Sequence, residues 1–349
     1  VAHGARPNGP KQQKSPQSGA KAAGARPGGQ PVVVPKNSAK SGNPARRSGA
    51  AVMGHSGPAG IGDWISGARL RTLPLAIAPV ALGTGAAVVA GDEGEVHWVR
   101  ALFALLVAVC LQIGVNYAND YSDGIRGTDD HRVGPARLTG GGAARPRTVL
   151  IVALVFFGIA AVAGLALIVV SQHWWLLIVG AAAIVAAWFY TGGKRPYGYL
   201  GLGEIFVFVF FGLVATTGTT YVQVDMVNLE SWLSAVGIGL MACAVLMVNN
   251  LRDIKPDKVA GKRTLAVRIG ATASKVVFCV FLLVPFGIAA FFALLYPLAW
   301  FTMFVLLMAL PACLIAVTAT TAKELILALK LTSLAALLYG VILGLAFAL

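Results

Sequence analysis

The sequence predicts an all-α membrane protein, with nine transmembrane helices around a central cavity. A cytoplasmic cap is expected from the loops after helices 2, 4 and 6. Three observations predict this. First, of 349 residues 57% are hydrophobic and only 12% charged, and mean hydropathy is +0.75. So few charges cannot cover the surface of a soluble protein of this size. Second, the apolar runs are about 17–22 residues long, which suits spanning helices and not the short alternating strands of a membrane barrel. Third, the charges segregate along the chain, as set out below. Soluble enzymes, secreted disulfide scaffolds and collagen-like chains are excluded.

The chain opens on residues 1–52, which carry lysines and arginines but no acid and are rich in Gly, Pro, Ala, Ser and Gln. They have no hydrophobic periodicity and no signal-peptide core, and so are expected to be a disordered basic extension. Met53 follows at once. Residues 1–52 therefore read as an upstream tail or a mis-annotated start, ahead of a membrane domain at 53–349. A basic arm resting on anionic lipid headgroups is the competing reading.

The first apolar segment, approximately 73–90, follows Arg69 and Arg71 and contains Pro74 and Pro79. The second, 101–118, ends in amides and acids. The third and fourth, 149–170 and 174–190, are among the cleanest, with His173 in the short link between them. The fifth, 205–222, starts behind Glu204, where an acid favours the helix dipole. The sixth, 233–248, runs into Asn249 and Asn250. The seventh and eighth, 276–295 and 298–318, are split only by Tyr296 and Pro297, a tight hairpin. The ninth, 331–349, reaches the last residue.

Charge tests this count. With the amino terminus cytoplasmic, every one of the 28 Lys/Arg except Arg100 falls on the inner side. Asp92, Glu93, Glu95, Asp225 and Glu230 fall outside. That asymmetry is the positive-inside rule, and a missed helix would scramble it. The amino terminus and the active-site loops are thus expected on the cytoplasmic side of the cell membrane and the carboxyl terminus outside. The net charge of +14 lies largely in the tail and the inner loops, so it points to a lipid bilayer and not to nucleic acid. Cys110, Cys243, Cys279 and Cys313 all lie in apolar runs without C-x-x-C spacing, and read as small buried hydrophobes.

Two inner connections are long and hold most of the polar chemistry, which on one face of a helical bundle is where function concentrates. Asn116, Asn119, Asp120 and Asp123 close the second segment at spacings of three and four, so they share a helical face. Asn249, Asn250, Arg252, Asp253 and Asp257 close the sixth, with Lys258, Lys262, Arg263 and Thr264 just beyond. The two acidic motifs resemble a weak internal duplication. A third stretch, Tyr190 to Tyr199 with Lys194 and Arg195, closes the fourth segment. The second, fourth and sixth helices all end on one membrane face, so the three stretches converge at one bundle mouth. Carboxylates at this spacing suit magnesium held together with substrate phosphates. Paired motifs fit two such ions on a diphosphate, with Lys194, Arg252 and Lys262 neutralising the remaining charge. The apolar helices below can house an isoprenoid tail. Taken singly, each motif could be a solvated, helix-capping loop. Arg69 and Arg71 could be membrane anchors, Arg132 and Arg137 solvated loop residues, and Asp129 and Asp130 turn residues.

At these residues the chain resembles the UbiA-type intramembrane prenyltransferases, from Trp64 to the carboxyl terminus. The family's signatures read here Asn119-Asp120-x-x-Asp123, Asp253-x-x-x-Asp257 and Tyr190-x-x-x-Lys194. One departure is Gly127, where many members have a further Asp. Residues 67–80, 116–138, 190–204 and 249–270 are most similar to the actinobacterial subgroup acting on 1,4-dihydroxy-2-naphthoate. The resemblance implies nine helices and a polyprenyl diphosphate joined to that acceptor, with loss of carbon dioxide and diphosphate, giving demethylmenaquinone after oxidation. It implies metal ligation by Asn119, Asp123, Asp253 and Asp257, with Asp120 in or beside that shell. Lys194, Arg252, Lys262, Asn116 and Asn249 would bind diphosphate. Arg137 or Arg69 would pair with the acceptor carboxylate, and Asp120 or Tyr190 would orient or deprotonate a ring hydroxyl. Same-fold rivals prenylate 4-hydroxybenzoate, haem or a phosphosugar. A cation transporter, the rival of another class, would need acids at the membrane midplane; here they cluster at helix ends.

Overall fold

A computed structural model describes residues 58–91, 96–128 and 137–349. The basic extension, Asp92, Glu93, Glu95, Asp129, Asp130, His131 and Arg132 lie outside the described residues. Every element among the described residues is helical. A short α1, Ile61–Ala68, turns through a 3₁₀ segment, Leu70–Thr72, into α2, Pro74–Ala90. Then follow α3, Trp98–Ile125; α4, Pro146–Ser171; and α5, Leu176–Phe189. The rest are α6, Gly203–Val224; α7, Leu229–Val259; α8, Leu265–Ala293; α9, Pro297–Thr318; and α10, Ala322–Ala348.

Seven of these helices, α3, α4 and α6 to α10, are long and apolar enough to cross a membrane, and the pair α1–α2, bent by 45°, makes an eighth if it is one span. α5, at 14 residues, is apolar but shorter than these spans. The chain is thus a multi-pass membrane protein. Ile178, Val162 and Leu307 are more than two-thirds exposed, as lipid-facing side chains are.

α7 is the most buried span and packs against α2, α6, α8 and α10. Small residues let the backbones close in. A Cβ on Gly85 of α2 would meet the Gly344 carbonyl of α10 at 2.1 Å, and one on Gly212 of α6 would meet Gly239 of α7 at 2.6 Å. α6 is wound as a π-helix over Phe208–Val214, a wider turn that recurs at functional sites. α8 breaks at Gly270, whose φ of 81° is open to glycine alone at little cost.

The acidic motifs differ from expectation in one respect. The helices outlast the apolar runs: α3 and α7 run on through the motifs to Ile125 and Val259. Their amides and acids recur at helical spacing, so the helix continues with one polar face. Pro256 lacks the N–H that would bond the Arg252 carbonyl, and α7 ends three residues later at Val259. α1 was not foreseen, since its eight residues are too few for a periodic signal.

Candidate active site

On α3, Asn116, Asn119, Asp120 and Asp123 are all buried, yet they face different partners. Asn116 donates to the Ala68 carbonyl at 2.9 Å and to Thr72 Oγ1 at 3.2 Å. Thr72 in turn donates to the Arg69 carbonyl at 2.9 Å. Arg69 has a left-handed φ of 53°, a conformation that costs a non-glycine residue free energy. This corner holds it. Asn119 Oδ1 accepts from Thr191 Oγ1 at 2.7 Å. Asp123 Oδ1 accepts from the Tyr199 hydroxyl at 2.6 Å and lies 3.1 Å from Lys262 Nζ.

Asp120 turns elsewhere. Its carboxylate accepts the backbone N–H groups of Leu138 at 3.0 Å and Thr139 at 2.9 Å. It lines neither of the two cavities below and anchors the 137–145 stretch against α3. That placement departs from the catalytic or metal-shell role expected of it.

On α7, Arg252 and Asp253 form a buried two-pronged ion pair, Nε to Oδ1 at 2.8 Å and Nη2 to Oδ2 at 2.5 Å. Arg252 Nη2 also donates to Asn249 Oδ1 at 2.9 Å. Asn250 donates to Glu204 Oε1 at 3.1 Å. Glu204 is buried beside α7, so it does more than the capping expected of it.

The third stretch supplies the wall between the two motifs. Tyr197 donates to the Ala186 carbonyl at 2.8 Å and stacks on Phe206 with ring centroids 3.9 Å apart. Lys262 Nζ lies 4.6 Å above the Tyr199 ring, and Arg126 sits on the same ring at 5.5 Å, both within cation–π range. Arg126 also donates to the Thr191 and Gly193 carbonyls. Burial and the Asp123 carboxylate push the Tyr199 phenol well above its usual range. That phenol stays protonated at neutral pH and donates its hydrogen bond to Asp123.

Two cavities meet here. The smaller, about 70 Å³, is lined by Asn119, Asp123, Asn249, Asn250, Asp253, Asp257 and Lys262, with Arg69 and Arg137. Both acidic motifs thus face one polar chamber. The larger, about 560 Å³, is walled by apolar side chains of α2 to α7. Arg69, Asn119, Tyr190 and Asn249 line both, so the chamber and the apolar well share a boundary. Arg69 Nη2 is buried there without a hydrogen-bond partner among the described residues. Asn116 lines only the apolar cavity. Arg252 lines neither, and Lys194 is exposed on the 191–196 loop, away from both. Sequence reasoning gave no role to Thr191 or Tyr199. Thr191 follows Tyr190 with no pattern to mark it, and the Tyr199 contact depends on the fold of its loop.

Among the described residues no three His, Cys, Asp or Glu side chains come together as a preformed metal cluster. Magnesium does not need one, because it takes one or two carboxylates and completes its shell with water and substrate phosphate oxygens. The all-oxygen donors of the chamber fit such an ion.

An acidic, amide-lined chamber set over an apolar well inside a helical membrane bundle defines a membrane-embedded protein for an amphiphile with a charged head and an apolar tail. The chain belongs to the UbiA prenyltransferase family, whose model matches residues 76–325. It is 51% identical over 220 residues to the 1,4-dihydroxy-2-naphthoate octaprenyltransferase of Mycobacterium tuberculosis, covering 63% of this chain and 74% of that one. It is 38% identical over 254 residues to the protein of the same name from Haemophilus influenzae, covering 71% and 82%. A UbiA homolog from Aeropyrum pernix superimposes with a TM-score of 0.57 at 16% identity, over 78% of this chain and 96% of that one. One from Archaeoglobus fulgidus, solved bound to DMAPP and Mg2+, gives 0.54 at 14%, over 80% and 97%. These two establish the shared fold.

Proposed function

We propose that the protein is a magnesium-dependent polyprenyltransferase of menaquinone biosynthesis. It joins an allylic polyprenyl diphosphate to 1,4-dihydroxy-2-naphthoate, releasing carbon dioxide and diphosphate. The observation that carries this reading is the shared boundary at Asn119, Tyr190, Asn249 and Arg69 between the polar chamber and the apolar well. A diphosphate head occupies the first while its tail occupies the second. The relatives' names supply the acceptor.

Asn119, Asp123, Asp253 and Asp257 would hold magnesium, one ion at each acidic motif. When bound, magnesium offsets the charge of the diphosphate. As the allylic C–O bond breaks, negative charge grows on the leaving group, and Lys262 and Arg137, on the chamber wall, stabilise it. Cations fixed where charge develops lower the barrier. The ring carbon bearing the carboxylate attacks the allylic carbon, a C–C bond forms, and the carboxylate leaves as carbon dioxide. Arg69 pairs with that carboxylate: it lines both cavities, and its Nη2 is buried without a hydrogen-bond partner among the described residues. Tyr190 orients the ring, and the apolar walls keep water from the allylic cation. Lys194 and Arg252 act from outside the chamber, Lys194 on an approaching anion and Arg252 by holding Asp253 and Asn249 in place.

We also infer nine crossings, counting the bent α1–α2 pair and the short α5, in the plasma membrane. The chamber end is cytoplasmic, where all the Lys/Arg but Arg100 fall.

The test is transfer by purified protein given geranylgeranyl diphosphate, 1,4-dihydroxy-2-naphthoate and magnesium. Demethylmenaquinol should form, read as demethylmenaquinone after oxidation by air; it should stop with EDTA, return with added magnesium and be absent with Asp257→Asn. Turnover only with another aromatic acceptor would keep the family and move the pathway.

A further inference from the structure

The apolar cavity carries one polar spot that a prenyl diphosphate does not explain. Gln112 and Asn116 stand one turn apart on α3. Both are buried, and both line this cavity but not the polar chamber. Gln112 Nε2 donates to Thr72 Oγ1 at 2.9 Å. Asn116 Nδ2 donates to the same oxygen at 3.2 Å and to the Ala68 carbonyl at 2.9 Å. The direction of these bonds is forced. Thr72 has a single hydroxyl proton, which goes to the Arg69 carbonyl, a group that can only accept. Thr72 Oγ1 is left to accept, so both amide NH2 groups must face it.

The two amide carbonyl oxygens, Gln112 Oε1 and Asn116 Oδ1, therefore lie on the side away from Thr72. No hydrogen bond reaches either of them among the described residues. The neighbouring wall on α3 is hydrocarbon, at Ala108, Leu111 and Val115. Acceptor oxygens in such a wall are costly to leave without a donor. The prenyl diphosphate supplies none: its head is an anion that repels a carbonyl oxygen, and its tail is hydrocarbon. What fits is an apolar ring bearing a hydroxyl. Gln112 is seven positions before Asn119, so it lies ~10 Å along α3 from the boundary of the two cavities. Arg69, whose carbonyl the same Thr72 holds, is at that boundary.

We propose that Gln112, with Asn116 one turn nearer the chamber, accepts the 4-hydroxyl of the naphthoate and determines acceptor specificity. This rests on the prenyl-transfer reading above. The 1-hydroxyl is ortho to the carboxylate and hydrogen-bonds to it within the molecule. The 4-hydroxyl has no such partner and is free to donate to the protein. With the carboxylate on Arg69 and the 4-hydroxyl on Gln112, the ring is held at two points. The carbon that bears the carboxylate then stays at the boundary, where the allylic carbon arrives. An aromatic acid without this hydroxyl leaves both amide oxygens without a donor, and a site built to bind a hydroxyl rejects such an analogue.

The test is equilibrium binding to the purified protein under anaerobic conditions. It compares 1,4-dihydroxy-2-naphthoate with 1-hydroxy-2-naphthoate, which lacks only the 4-hydroxyl. The wild type should bind the dihydroxy acid about tenfold or more tightly than the other. Gln112→Met keeps the side-chain length and removes the oxygen. It should weaken the dihydroxy acid about tenfold and leave the monohydroxy acid within about twofold, so that the preference disappears. Gln112→Glu still offers an acceptor oxygen and should keep a preference of about threefold or more. The KM for the prenyl diphosphate should be unchanged in both variants. A wild type without preference overturns the proposal. So does an equal loss for both acids in Gln112→Met, which marks a merely structural role, and so does a Gln112→Glu no more selective than Gln112→Met. A wild type that transfers no prenyl group to the dihydroxy acid overturns the prenyl-transfer reading instead.

Discussion

Lys262 Nζ lies 3.1 Å from Asp123 Oδ1, joining a residue just past the end of α7 to one near the end of α3. The segment that follows the second acidic motif is therefore tied to the first by a cation that also rests on the Tyr199 ring. Before substrate arrives, Lys262 neutralises Asp123. Once a diphosphate enters, the same ammonium is within reach of a stronger anion. Lys262→Met should raise KM for the prenyl diphosphate by roughly ten- to a hundredfold, the loss of one charge-assisted hydrogen bond at about 1.5–3 kcal/mol. It should leave acceptor KM nearly unchanged. Steady-state kinetics with each substrate varied in turn checks this, and an equal effect on both would contradict it.

Arg252 and Asp253 form a pair with almost no exposure. Removing one partner of a buried pair leaves the other charge unpaired, at a cost of about 3–5 kcal/mol. Asp253→Asn should therefore lose thermal stability as well as activity. The double substitution Arg252→Met with Asp253→Leu should regain much of the stability while staying inactive. Melting curves in detergent, read beside turnover, separate the two roles; a stable but inactive Asp253→Asn would confine this residue to catalysis.

How far the site was legible depended on what each contact requires. Spacing alone brings Asn119 and Asp123, or Asp253 and Asp257, onto one helical face, and helix parity brings the two faces to one membrane side. Those inferences need no tertiary detail, and the four residues do line one chamber. Which way a side chain turns is another matter. Asp120 sits between Asn119 and Asp123 in the same motif, yet it is claimed by backbone N–H groups 18 and 19 residues away. Lys194 and Lys262 look alike in sequence, but the first is exposed on a loop and the second is packed on Tyr199. Hydropathy located the seven long apolar helices and the bent α1–α2 pair, but it ended two of them early, because polar residues on the inner turns of α3 and α7 look like loop to a hydropathy scale.

Asp120 then has a distinct expected phenotype. As an anchor for the 137–145 stretch, which carries Arg137 to the chamber, it acts through position. Asp120→Asn keeps one acceptor oxygen and should cost about 1–2 kcal/mol of local stability. Hydrogen exchange at the Leu138 and Thr139 amides should speed up, while magnesium dependence of turnover is unchanged. A shift in the magnesium requirement without faster exchange would return Asp120 to the metal shell.

The contact between α2 and α10 gives the sharpest test of the fold itself. Ala78, Ala81 and Leu82 of α2 meet Gly340 and Gly344 of α10, where a Cβ on Gly340 would lie 2.7 Å from the Ala78 Cβ and one on Gly344 would lie 2.6 Å from the Ala81 carbonyl. Neither helix can retreat, because Ala78, Leu82 and Leu343 are wholly buried. Gly344→Leu should therefore cost about 3 kcal/mol or more, through overpacking in a rigid interface. Gly287 of α8 is the matched control: it is helical, faces outward, and a Cβ there meets nothing within 4 Å. Gly287→Ala should be neutral or stabilising by up to about 1 kcal/mol, since alanine restricts the unfolded chain and favours helix. Thermal inactivation of the two variants side by side in one detergent decides the matter. Similar melting temperatures for both would mean that α2 and α10 do not approach backbone to backbone.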